Sequence, residues 1–83
     1  MNEDYLDRVL DQLVGETTID YTREIIHIPF TKDSFPLNSP YLFFSIFIHF
    51  TKHTRDYYGL TEEEIKYVWE QWKYIIQNKY DEL

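Results

Sequence analysis

Two histidines and an aspartate, His49, His53 and Asp56, carry the one spacing in this 83-residue chain that suits a metal ion. On a helix, positions i, i+4 and i+7 share a face. Two imidazoles and a carboxylate form a ligand set used by zinc and by non-haem iron. The H-E-x-x-H pattern of zinc peptidases is not met, because Phe50 stands where its glutamate base would be. An H-x-x-x-H pair also recurs by chance, so the expectation is no metal and no cofactor. The three residues then form the wetter stripe of an otherwise apolar helix. His27 lies on a candidate strand without a partner that the sequence can name.

Other catalytic chemistry finds little to work with. There is no cysteine, hence no thiol nucleophile, thiolate metal site or redox motif. Serine occurs only as Ser34, Ser39 and Ser45, and none sits in a G-x-S-x-G elbow. The two glycines, Gly15 and Gly59, are isolated and build no phosphate-cradling loop. The expectation is that the chain is not an enzyme.

Charge points towards polypeptide partners. The net charge is −7. Residues 1–20 contribute −5, residues 21–58 contribute +1 and residues 59–83 contribute −3. Nucleic acid is held chiefly by lysine and arginine, and anionic membranes attract the same residues, so neither is an expected partner. Glu3, Asp4, Asp7 and Asp11 crowd one side of the first amphipathic segment, with Glu16 and Asp20 following. Such an array either steers a basic protein surface or simply keeps a small domain in solution.

Size allows one domain over 1–83. A chain this short buries a limited core. With no disulfides, eight Tyr, six Phe and two Trp must supply it, each burying roughly 150–250 Å². Alanine is absent, while Ile, Tyr, Phe and Asp are plentiful. That bias fits an AT-rich coding sequence such as a bacteriophage's or a low-GC bacterium's. The opening MNEDYLDRVLDQL is acidic and amphipathic, without the basic start and apolar run of a secretory signal. A cytoplasmic location is expected, the host cytoplasm if the source is viral. The apolar run at 41–50 is about half the length of a membrane span.

These residues need elements to position them. Leu6, Val9, Leu10 and Leu13 form one helical stripe over 3–14, capped by Asn2 and stopped at Gly15. Residues 17–30 alternate, and their β-branched and aromatic content predicts two short strands turning near 21–23, or one bent strand. Pro29 marks an edge or an end. Residues 31–39 read as loop. Ser39 and Pro40 read as N-cap and N1 of a helix from 40 to about 58, closed by Gly59. Its YLFFSIFIHF stretch is apolar on nearly every side, which predicts a buried central helix, with a central strand as the alternative.

The last element is the clearest. Thr61 and Glu64 make a capping-box pattern, and Leu60 and Ile65 a hydrophobic staple. Ile65, Val68, Trp69, Trp72, Ile75, Ile76 and Tyr80 then recur at three and four.

The fold expected is α+β, in the order helix, short β-ribbon, helix, helix, with a C-terminal helical hairpin; all-α is the alternative. The apolar supply exceeds what 83 residues easily bury, so Tyr57, Tyr58, Tyr67, Tyr74 and Tyr80 are expected to face a partner or a second copy. The functional expectation is a small acidic protein-binding module, such as a phage or viral regulator or inhibitor docking on a cellular protein. A homo-oligomeric structural or assembly protein is the alternative. A helix–turn–helix DNA reader around Gly59 ranks last, because Glu62, Glu63, Glu64 and Glu70 would face the phosphates.

Overall fold

A computed structural model describes residues 2–28 and 30–80. The order is α1 (Glu3–Glu16), β1 (Thr18–Asp20), β2 (Ile25–His27), β3 (Ser34–Pro36), α2 (Leu42–Asp56) and α3 (Glu62–Lys79). The fold is α+β.

Helix α1 begins where the sequence places it, with Asn2 Oδ1 accepting the Tyr5 amide at 3.1 Å. Leu6, Val9, Leu10 and Leu13 are its buried face. Its end differs from expectation. The helix runs through Gly15 to Glu16, and Thr17 is the C-cap. Thr17 supplies the stop: its hydroxyl donates to the Leu13 carbonyl at 2.7 Å and its amide to Val14 at 3.2 Å. These bonds occupy carbonyls that the last turn leaves free, so no left-handed glycine is required.

The ribbon gains a strand. β1 and β2 pair antiparallel with Ile19 opposite Ile26, across a turn at 21–24. β2 then pairs antiparallel with β3, Ile26 opposite Phe35, inside the stretch read as loop. The sheet order is β1-β2-β3. A two-stranded ribbon alone is barely stable in water; the third strand and packing on α2 supply the rest. The turn holds Glu24 at φ 56°, the one left-handed non-glycine residue described. Pro29, expected to mark a strand edge, lies outside the described residues.

Helix α2 starts later than its cap signal implies. Ser39 is spent on a turn, where its Oγ accepts the Tyr41 amide at 3.2 Å. The helix begins at Leu42, with Tyr41 as an N-cap that makes no side-chain bond. Gly59, at φ 67°, turns the chain into α3. The capping box forms in both directions: Glu64 N–H donates to Thr61 Oγ1 at 3.2 Å, and Thr61 N–H to Glu64 Oε1 at 2.9 Å. Leu60 and Ile65 are both buried beside it.

The central helix is α3, not α2. Both α1 and α2 pack on α3, which buries Ile65, Val68, Trp69, Trp72 and Ile76. Tyr80, expected on an outward surface, is the C-cap and lies partly buried against the core, 6.2 Å from the Tyr21 ring.

Candidate functional site

Spacing in α2 decides what it presents. Leu42, Ile46, Phe50 and Thr54 are buried, four residues apart along one edge. Phe50 packs its ring against both tryptophans, 5.0 Å from Trp69 and 5.5 Å from Trp72, which are themselves stacked at 5.5 Å. The opposite edge is left outside. Tyr41, Phe44 and Ile48 are 70%, 69% and 57% exposed, and Phe47 is 39% exposed. The expectation of a helix buried on all sides is therefore corrected. Among the described residues α3 is the main helix that covers α2, and the β2–β3 connection and β3 meet it elsewhere through Phe30 on Phe50 and Phe35 on His49.

Beside this edge, α2 and α3 enclose an open groove of about 650 Å³. Phe43, Phe44 and Phe47 form one wall, and Ile65 and Trp69 lie against it. Phe47 meets Trp69 edge-on at 5.0 Å. The α3 rim alternates in charge as Glu62, Lys66, Glu70 and Lys73. Lys73 Nζ sits 5.9 Å over the Trp69 ring and 3.6 Å from the Glu70 carboxylate. At the far end, the Arg55 guanidinium reaches the Glu62 carboxylate at 2.7 Å and ties the two helices together. The groove is apolar in its depth and balanced in charge at its rim, and so suits an apolar side chain or a helix ridge rather than a strongly charged ligand.

The residues singled out by sequence fall in three places. Glu3, Asp4, Asp7 and Asp11 are all exposed along α1, and none makes an ion pair among the described residues. Tyr57 and Tyr74 are 71% and 67% exposed. Tyr58 and Tyr67 are half-buried against the core. Tyr58 receives the Tyr5 hydroxyl on its carbonyl at 2.9 Å. Burial, then the charge of Glu16 and the neighbouring Tyr57 and Tyr5, pushes the Tyr58 phenol up.

His49, His53 and Asp56 share α2, but the histidine rings are taken up by aromatic packing. His49 lies 5.7 Å from Phe35. His53 is stacked between Phe30 at 5.3 Å and Tyr57 at 5.1 Å, with Tyr58 edge-on at 5.4 Å. Burial holds the His53 imidazole below its ordinary pKa, partly countered by Glu16. No three His, Cys, Asp or Glu side chains converge as a metal site among the described residues.

The surface that sequence reasoning missed is Tyr41, Phe44, Phe47 and Ile48. Its signal was already in the composition. A helix apolar on every side, in so short a chain, has more surface than its neighbours can cover.

No protein-family model, no curated protein and no solved structure matches this chain. No helix among the described residues is long and apolar enough to cross a membrane.

Proposed function

We propose that this chain is a non-enzymatic protein-binding module, a small acidic regulator that docks on another polypeptide. One observation carries the reading: Tyr41, Phe44, Phe47 and Ile48 stand out in water beside the α2–α3 groove, while fifteen other apolar side chains among the described residues are buried as the core. Scattered exposed apolar residues are ordinary, but a contiguous patch bordered by polar groups is the usual mark of an interaction surface. Aromatic side chains are also the residues that most often carry binding energy.

The α1 carboxylates give the module a second property. Glu3, Asp4, Asp7 and Asp11 form a face of one sign. That face speeds encounter with a basic partner without adding much to the final affinity. An inhibitor or regulator acting on a basic cellular protein fits this division of labour.

The test is a binding assay with polypeptides captured on the immobilised chain. Wild type is compared with Phe44→Glu and with the triple reversal Asp4→Lys, Asp7→Lys, Asp11→Lys. A specific partner should be lost with Phe44→Glu. The reversal should slow its association and flatten the salt dependence of the rate. Partners that bind all three forms alike would refute the reading.

A further inference from the structure

The α2 face and the α1 face differ in the occupant they suit. Between residues 41 and 55 there is no carboxylate, and the formal charges are Lys52 and Arg55 alone. The long-range pull on a basic partner is thus centred on α1, and the α2 edge adds no acidic attraction of its own. A second copy has the opposite preference. It is repelled by the acidic residues at 1–20 and 59–83 and can approach most closely where acids are missing.

We propose that the exposed edge of α2 is a self-association surface, and that its occupant is the same edge of a second copy of this chain. The inference rests on the docking reading above and names the polypeptide that fills the aromatic face. Phe44 and Ile48 lie one turn apart and form the centre, with Tyr41 and Phe47 beside them. Residues 41–48 span about two turns, over which two crossing α2 helices can pack ridges into grooves. The contact is isologous, so each residue serves both copies.

Area supports a second copy. At about 200 Å² per large side chain, the four exposures correspond to roughly 400–500 Å² on each copy. Doubled, that is about 900 Å² before the groove walls are counted. Chance contacts bury mostly under ~800 Å² and specific interfaces begin near ~1,200 Å². The total falls between the two, the range of weak and transient contacts. The result is a weak, concentration-dependent dimer.

The charge pattern fixes a signature. Two chains of −7 repel at long range, so added salt tightens this dimer, whereas it weakens docking of a basic protein steered by α1. The experiment is sedimentation equilibrium of the full chain from about 5 to 500 µM, in about 50 mM and 500 mM salt. Wild type should move from 10.3 kDa towards twice that mass, at lower concentration in high salt. Phe44→Glu and Ile48→Glu should stay monomeric with unchanged circular dichroism. Phe44→Ser serves if the charged forms unfold. Tyr74→Glu, an equally exposed aromatic on α3, should dimerise like wild type. A wild-type monomer throughout, a dimer that survives Phe44→Glu or Phe44→Ser, or a dimer that loosens with salt would overturn self-association. A foreign polypeptide that needs Phe44 on a strictly monomeric chain would sink this inference and leave the docking reading standing.

Discussion

Trp72 and Thr17 are joined by a hydrogen bond across 55 residues of sequence: the indole Nε1–H donates to Thr17 Oγ1 at 3.3 Å. The same hydroxyl sends its own proton to the Leu13 carbonyl at 2.7 Å. Both side chains are buried. The end of α1 is thereby pinned to the middle of α3, and the one polar atom of the largest core residue is satisfied.

Replacing Thr17 with valine keeps the shape and removes the acceptor. The buried indole N–H is then unpaired, at a cost of about 1–3 kcal/mol. Thr17→Ser should cost much less, since it keeps the oxygen. Urea unfolding followed by tryptophan fluorescence measures both.

Thr61→Ala removes one arm of the capping box that starts α3 and should destabilise by about 1 kcal/mol. Because α3 touches both other helices, the loss should appear as a lower midpoint of one cooperative transition, read by circular dichroism, rather than as local fraying.

Glu24 occupies a left-handed conformation, which costs an L residue roughly 1–2 kcal/mol. Glu24→Gly relieves that strain and gives back about 0.5–1 kcal/mol through the freer unfolded chain. The net expectation is stabilisation of up to about 1 kcal/mol, seen as a raised Tm. Glu24→Val should lower it.

The pH profile follows from His53. Its pKa is lowered in the folded chain by burial between Phe30 and Tyr57, with Glu16 partly opposing. The unfolded chain therefore binds a proton more readily than the folded one, and stability rises with pH across this window. The His53 contribution is complete well above 6.5. It falls as pH drops through that value and levels off once the folded imidazole is also charged. Denaturant titrations from pH 8 to 5 should show the decline in wild type and a flatter profile in His53→Gln.

Much of this fold can be read in the residues because local signals agree. In α3 the capping box, the staple and the apolar stripe all name the same start and the same face. In α1 the Asn2 cap and the Leu6, Val9, Leu10, Leu13 spacing do likewise. β3 gives no such signal. Three residues, Ser34, Phe35 and Pro36, are too few to display alternation, and proline there imitates a loop. At the start of α2, the Ser39 hydroxyl bonds a turn amide instead of a helical one, a choice made by the path of the chain into the helix. The candidate site was legible only in part. The acidic residues of α1 face water as the periodicity predicts. The aromatic edge of α2 was hidden because apolar character says that a side chain gains by burial, not that a neighbour exists to bury it. That depends on α3 lying between α1 and α2, which is a long-range fact.

That central position of α3 has a consequence for how the protein comes into being during translation. The nascent chain delivers α1, the sheet and α2 first, at about 5–20 residues per second. Until α3 emerges, the stripes of α1 and α2 have no helix to close upon. The last helix to emerge is thus the one that closes both helical contacts, with α1 and with α2. In that interval the aromatic rings of α2 are at their most vulnerable to capture by chaperones or by neighbouring polypeptides on the same message.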